Sequence, residues 1–438
     1  MGKTLAQIAQ QLQDANKKVQ LIYAFNGSGK TRLSRALKDL IAPKNSEDHN
    51  GGEVDPPRNK ILYYNAFTED LFYWDNDLDS DIEPKLKVQP NTFTDWLITL
   101  LQELGEDGNI ASNFQRYTSS NTNPVFNQRY TKKIRTFDEQ EIDLVVPAFS
   151  EISFQVPINK PVVAAQADSE ASVVDAPIQG QYEIIKISKG EESNFIWSVV
   201  YTLLEQVVLI RNEANVANRV TDKFNSLEYV FVDDPVSSLD DGHLIELAVD
   251  LAGLIKKSAY VDGQGLRFVI TTHSPLFYNV LHNELNKDLK KCNQDGSSSW
   301  IYKRAQSEKY RLEKKADGNF DLITSNDHPF SYHLFLLAEL RSAIKDGQVK
   351  RYHFNFLRNI LEKTATYLGY LRWEDLLQTT SDGVPDPFAN RILNLSSHSA
   401  HSGEEVAEIE ESDKDRLAQL VSFLSDTYRF NKQEAENV

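Results

Sequence analysis

Eight residues near the start of the chain, Ala24-Phe25-Asn26-Gly27-Ser28-Gly29-Lys30-Thr31, combine glycines, a lysine and a hydroxyl in an order suited to holding phosphate. Gly27 and Gly29 let backbone N–H groups curl around an anion. Asn26 and Ser28 complete the loop, Lys30 reaches terminal phosphates, and Thr31 can ligate magnesium. Ala24 stands where the usual pattern has glycine, a tolerable change where φ is negative. Far downstream, Asp233 and Asp234 end the apolar run Tyr229–Val232. Asp233 is positioned to hold magnesium through water and Asp234 to polarise an attacking water, although paired acids after a strand also serve as helix caps. Pro235-Val236-Ser237-Ser238-Leu239-Asp240 follows at once. A further apolar run ends in Thr272-His273-Ser274, which sets an imidazole at the carboxyl edge of a strand, where α/β sheets bind ligands. The expected chemistry is hydrolysis of ATP or GTP, with Mg2+ at Thr31 and Asp233.

These groups need a parallel sheet to bring them together. Val19–Phe25 reads as a strand and Thr31–Ile41 as a helix, with a polar loop over 44–58. Ile61–Tyr64 reads as a strand and Phe93–Leu104 as a helix. Residues 118–182 read as a β-rich insertion, with strands at Ile142–Val146 and Ile152–Val156 and a loose linker over the Ala/Asp/Ser stretch 164–176. Helical spacing returns at Asn194–Arg211. The apolar runs Tyr229–Val232 and Arg267–Thr271 read as buried parallel strands around a helix over Gly242–Ser258. From Asp327 the pattern is mainly helical: Ser331–Lys345, Arg351–Tyr367 and Asp413–Tyr428. The expected architecture is α/β: an ATPase domain over 1–285 containing the insertion, a connector over 286–326, and a mainly helical domain over 327–438.

A chain of 438 residues accommodates two or three domains. Its formal charge of −17 means that any contact with nucleic acid must use a local basic surface. Residues 287–315 hold nine Lys/Arg against four Asp/Glu, and 345–373 hold six against two, whereas the segment from Glu404 onward is acidic. Solvated faces are the plain reading of both basic stretches. The first residues lack the apolar core of a secretory signal, and no run of about 18 apolar residues predicts a membrane span. One cysteine, Cys292, excludes an internal disulfide. The expectation is a cytoplasmic protein.

The nucleotide motifs resemble the ABC ATPase family, in the soluble branch of chromosome-maintenance and DNA-repair ATPases. In that resemblance Asp240 belongs to the loop after the paired acids, and His273 is a switch that senses the γ-phosphate. Ile187-Ser188-Lys189-Gly190-Glu191 is similar to the family's Leu-Ser-Gly-Gly-Gln signature, with Lys189 and Glu191 as departures. Ser188 and Gly190 would meet the γ-phosphate of an opposing subunit. The resemblance thus implies a homo-oligomer with facing heads and a P-loop ATPase fold.

A narrower resemblance spans most of the chain outside 118–182. Val19–Arg32, Ile61–Asp77, Lys189–Ser198, Asp233–Leu247, Thr271–Val280, Phe330–His333, Arg351–Tyr370 and Ser397-His398-Ser399 resemble the PrrC-type bacterial anticodon nucleases. What this implies is a nucleotide-gated RNase cutting tRNA, typically lysine tRNA, at the anticodon loop in anti-phage defence. The family is usually silenced by a type I restriction–modification complex. Its proposed triad falls on Arg358, Glu362 and His398. Without the resemblance, Arg358 and Glu362 are an ordinary i,i+4 helix pair, and His353 and His401 rival His398. The trio suits metal-independent cleavage, with Arg358 gripping the phosphate and His398 and Glu362 sharing the proton work in an order that spacing leaves open. The products would be a 2′,3′-cyclic phosphate and a 5′-hydroxyl. Asp327 is the nearest candidate for pairing with a cationic wobble base, or else a helix cap. The aromatics of Phe67–Asp77 are either a nucleotide-control box or core. The alternative reading is a DNA-repair-type ATPase or a defence sensor without nuclease activity, neither of which requires the trio.

Overall fold

The computed structural model describes residues 2–43, 60–65, 71–76, 83–90, 92–135, 141–164, 172–235, 241–292, 296–315, 317–325, 332–377, 388 and 409–430. Between Asn326 and Asp327 the chain divides into two compact units. The first is built on a six-stranded sheet of order β17-β16-β1-β13-β10-β2. Its strands are β1 (Val19–Ala24), β2 (Ile61–Asn65), β10 (Tyr229–Asp233), β13 (Arg267–Thr272), β16 (Ser307–Lys314) and β17 (Phe320–Thr324). All neighbours run parallel except β17 against β16. Every residue of β1 and β10 is buried, as strands covered on both faces must be. One covering layer is α1 (Leu5–Asp14) with α2 (Lys30–Ile41). Leu5, Ile8, Leu12, Leu33 and Leu37 pack there with Ile22 and Phe231. Elsewhere in the unit lie α6 (Asp241–Lys257) and α7 (Pro275–Leu285).

Two expectations change here. The segment 286–326 is not a connector. After a hairpin of β14 (Leu289–Cys292) and β15 (Ser298–Tyr302), it supplies β16, which pairs with β1 over six residues, and β17 beyond it. The physical reason is that Tyr310 and Leu312, two positions apart on one face of the strand, are both buried in the core with Ile22 and Ala24 of β1. The β-rich insertion is also not confined to 118–182. Its sheet has the order β3-β4-β8-β5, with β9 on β8, and its first strands are β3 (Phe72–Asp75) and β4 (Lys85–Val88). The others are β5 (Asn123–Phe126), β8 (Glu151–Ala164) and β9 (Ser172–Ile185). Residues 172–176, expected in a loose linker, open β9, because Val173 and Val174 find cross-strand partners in β8. Hairpins β6 (Tyr130–Arg135) with β7 (Glu141–Val146), and β11 (Tyr260–Val261) with β12 (Gln264–Gly265), complete the strands.

Helices α3 (Thr92–Leu104), α4 (Asp107–Thr118) and α5 (Lys189–Asn212) belong to the same unit. Phe114, Phe154 and Phe195 meet edge-on or tilted at 5.2–5.9 Å, which locks α4, β8 and α5 together. By length and composition α5 would pass for a membrane span, but 78% of its most apolar stretch is buried inside the protein.

The second unit contains α8 (Tyr332–Lys345), α9 (Arg351–Leu368) and α10 (Glu411–Thr427). On α9 the buried positions His353, Phe354, Leu357, Ile360, Leu361 and Ala365 recur every three or four residues and form one face. That face packs against Leu336, Leu340, Leu417, Leu420 and Leu424. Arg341 donates to Ser425 Oγ at 2.8 Å, joining α8 to α10. Because Leu357 is fully buried, Leu357→Ala is expected to destabilise this unit by about 2–5 kcal/mol. Urea unfolding followed by circular dichroism would measure the loss.

Candidate functional site

The loop after β1 has the geometry of a phosphate cradle. Gly27 and Gly29 have φ of 78° and 95°, left-handed values that a side chain resists. A Cβ on Gly29 would also meet the Phe320 ring at 3.2 Å. Ser28 folds back, its N–H and hydroxyl both donating to Phe25 O. Lys30 opens α2 and is almost buried. Its ammonium donates to Ala24 O at 3.2 Å and to Asn26 Oδ1 at 3.2 Å, and lies 3.5 Å from Asp234.

Parallel pairing then delivers the other groups. The register sets Asp233 beside Thr271, and Thr272 beside Tyr23 of β1. Asp233, 2% exposed, accepts hydrogen bonds from Thr271 at 2.5 Å, Thr31 at 3.0 Å and Tyr63 at 3.2 Å. Burial pushes its carboxyl above the usual range, and the three hydroxyls oppose this. Adjacent ligands of an octahedral magnesium ion with ~2.1 Å bonds stand about 3 Å apart. The hard oxygens of Thr31 and Asp233 therefore fit such an ion. Asp234 turns through φ 52°, and its N–H donates to Thr271 O. Its carboxylate accepts from Thr272 at 3.2 Å and from His273 N at 3.3 Å, and makes a short contact with His273 Nδ1. Burial works against ionisation of Asp234, but His273 and Lys30 outweigh it and hold its pKa low. A negative centre beside an imidazole and an ammonium can orient both. It can also receive a proton from a water positioned above them.

Lys30, Thr31, Asp233, Asp234 and His273 are thus brought into one cluster. Sequence reasoning missed Tyr63, Thr271 and Thr272. The two threonines directly precede His273 at a strand end, a signal that could have been used. Asp240 lies outside the described residues. Ser188 and Gly190 stand apart at the exposed start of α5, where Ser188 Oγ accepts from Glu191 N at 3.3 Å and Glu191 accepts from Ser188 N at 2.8 Å. Glu191 thereby completes a capping box. Its neighbour Glu192 accepts from Trp74 Nε1 at 2.9 Å and from Lys189 at 3.0 Å.

In the second unit Arg358 Nε donates to Glu362 Oε1 at 2.8 Å, on the partly exposed side of α9. His398, His401 and Asp327 lie outside the described residues, so the third member of the trio is not located. His353 is buried at the other face of α9, and its Nδ1 accepts from Lys350 N at 2.8 Å. Burial and Lys350 lower its pKa. That arrangement makes His353 a helix cap rather than a rival base. His333 on α8 is also pulled below the usual histidine range, first by burial and then by Lys363.

Lys30→Ala is expected to weaken nucleotide binding ~10- to 100-fold, the loss of one charged hydrogen-bonding group. Gly29→Ala should also weaken it, because the loop cannot keep its φ. Calorimetric titration of ATP and GTP checks both, and unchanged affinity would exclude this loop as the site.

Residues 215–426 match the AAA domain family model, a range that contains Asp233, Asp234 and His273 and begins after the Lys30 loop. Two solved structures overlap loosely. One is an SMC head bound to the C-terminal winged-helix domain of ScpA (11% identical, TM-score 0.28), the other the SMC head domain from Thermotoga maritima (12%, 0.23). Each comparison covers 70% of this chain and 90% of the other. An anticodon nuclease of Escherichia coli is 46% identical over 462 aligned positions, covering the whole of both chains. Similarity of that extent across both units shows that the chain belongs to the anticodon nuclease family, enzymes here furnished with an AAA-type ATPase domain.

Proposed function

We propose that the chain is a nucleotide-gated endoribonuclease that cuts tRNA, lysine tRNA above all, in the anticodon loop during defence against phage. The observation that carries the reading is the Arg358–Glu362 pair, held on an accessible helix face in a unit with its own core, in a chain similar to an anticodon nuclease from end to end. Arg358 would bind the scissile phosphate through its planar fork. Glu362 and His398 would share the proton transfers, one taking the 2′-hydroxyl proton and the other protonating the leaving 5′-oxygen. The 2′-oxygen attacks its own phosphate, leaving a 2′,3′-cyclic phosphate and a 5′-hydroxyl, a path that requires no metal. Asp327 is the proposed contact to the wobble base.

The ATPase unit would act as an ABC-type head. ATP or GTP with Mg2+ binds at Asn26–Thr31 and Asp233. His273 and Asp240 read the γ-phosphate, and Ser188 and Gly190 of a second copy close over it. The working form is then a cytoplasmic homo-oligomer of at least two facing heads. A type I restriction–modification complex is the proposed silencing partner.

Asp234→Asn is expected to keep nucleotide binding, slow hydrolysis and accumulate a nucleotide-bound dimer, visible by light scattering. Wild-type turnover in that variant would remove Asp234 from the role of base. Arg358→Ala, Glu362→Ala and His398→Ala are each expected to lower tRNA cleavage by about 10²–10⁴-fold while ATPase activity stays near wild type. Sequencing of tRNA termini after expression, with and without His398→Ala, is the decisive comparison. Ends carrying 5′-phosphate and 3′-hydroxyl would discard the mechanism.

A further inference from the structure

The basic stretch 287–315 resolves into two parts with different fates. Lys309 is buried, donating to Asn286 and Ser307. Arg311 and Lys315 pair with Glu313 and Asp321. Apart from Lys314 at the end of β16, what remains is the β14–β15 hairpin and the residues flanking it. There Lys287, Lys290, Lys291, Lys303 and Arg304 are all exposed. Between 287 and 304 five cations face two acids. One of these, Asp288, accepts from Arg304 N at 2.6 Å. Only Lys287 has a carboxylate partner among the described residues, Glu284 at 2.5 Å. In the hairpin register Lys290 lies directly opposite Trp300. Its ammonium is 4.1 Å from the indole centroid, and that of Lys303 is 5.6 Å away. Trp300 is 47% exposed, unusual for the largest side chain, on a hairpin that does not need it for a core.

An exposed ring with ammonium groups over it and further cations along the same hairpin can exchange those ammoniums for an unpaired base and leave them to neutralise the phosphates next to it. On a chain of charge −17 such a patch stands out against a field that repels RNA. We infer that the β14–β15 hairpin, through Trp300, Lys290 and Lys303, is an RNA-docking surface for the tRNA substrate, carried by the unit that lacks the proposed cleavage residues. This rests on the tRNA reading given above.

The test uses the full chain. Lys290→Glu/Lys303→Glu should raise KM for tRNA on the order of tenfold, with kcat at saturating tRNA and ATPase turnover unchanged. Filter binding on a Glu362→Ala background should show the salt slope of log K falling by ~0.7–0.9 for each phosphate that is no longer neutralised. Trp300→Ala should weaken binding with the slope unchanged. A photo-crosslinker on Cys292, the lone cysteine and exposed, should attach to tRNA. If the unaltered chain neither binds nor cuts tRNA, the proposed function itself fails. If it cuts tRNA and the hairpin variants keep wild-type KM and salt slope, the hairpin inference alone is overturned. Crosslinking to a second copy of the chain in place of tRNA would overturn it equally.

Discussion

Asp233 and Asp234 stand side by side at the end of β10, each no more than 3% exposed. Two neighbouring carboxylates withdrawn from water repel each other and lose hydration, a cost of several kcal/mol unless other groups compensate. Much of the first unit follows from how they are satisfied. Asp233 is surrounded by hydroxyls from three different segments: Thr31 after β1, Tyr63 on β2 and Thr271 on β13. Asp234 is flanked by cationic or protonatable groups, Lys30 and His273. The strand order β1-β13-β10-β2 is what lets all of these reach one place. The division of labour also has a chemical consequence. Hydroxyls leave Asp233 open to exchange for a metal ion, whereas charged neighbours keep Asp234 ionised and oriented. Burial acts on both carboxyls in the same sense, and the two pKa values move in opposite directions only because their partners differ.

The start of α5 shows how a departure from a family pattern can have a local cause. Glu191 stands where the signature has glutamine, and it closes a capping box with Ser188. Either residue type can do so. The departure therefore keeps the helix start intact while adding a negative charge close to where, on the proposed head-to-head assembly, an opposing γ-phosphate would arrive. Lys189, the other departure, bonds Glu192 at 3.0 Å and brings a positive charge to the same turn. The two changes offset each other electrostatically. Glu192 also accepts from Trp74, so a strand of the insertion sheet is tied to the first turn of α5. Trp74 belongs to the aromatic stretch whose role the sequence leaves undecided. In the folded chain Trp74 is half-buried, its ring tilted against Phe154 at 5.9 Å. It braces the turn that carries Ser188 and Gly190.

The nucleotide cluster is legible because its residues follow apolar strands, and a strand buried on both faces announces itself as an unbroken run. The same logic locates β10, β13 and the helices of the second unit within a residue or two. It fails where strands are polar. In β16, SEKYRLEK, charges alternate with Tyr310 and Leu312, and a Lys/Arg count masks a strand of the central sheet. In β3 and β4 the runs are four residues each, too short to be joined across thirty or more residues to β5 and β8. Such pairing is tertiary and leaves no local trace. Tyr63 escapes for a related reason. Its strand is plain in the sequence, but only the β2–β10 register reveals that its hydroxyl reaches Asp233. His353 escapes in the opposite sense. A histidine near a charged pair invites a chemical role, yet its position as N3 of α9 makes it a cap.

The Arg358–Glu362 pair raises the question of how a residue can be both an ordinary helix salt bridge and a reactive one. Magnitudes resolve it. An exposed i,i+4 pair contributes only about 0.3–0.5 kcal/mol. A charged hydrogen bond from a guanidinium to phosphate is worth roughly 1.5–3 kcal/mol. On the proposed chemistry an arriving RNA phosphate therefore displaces Glu362 from Arg358 at little cost and leaves a free carboxylate beside the bound phosphate. The ion pair orients Arg358 before substrate arrives and limits the rotamers it must give up on binding. Placement on α9 adds rigidity, because Leu357 and Leu361, each adjacent in sequence to one member of the pair, are both fully buried. The two side chains proposed to react are thus carried by backbone that the core holds fixed, while the side chains themselves remain free to exchange one partner for another.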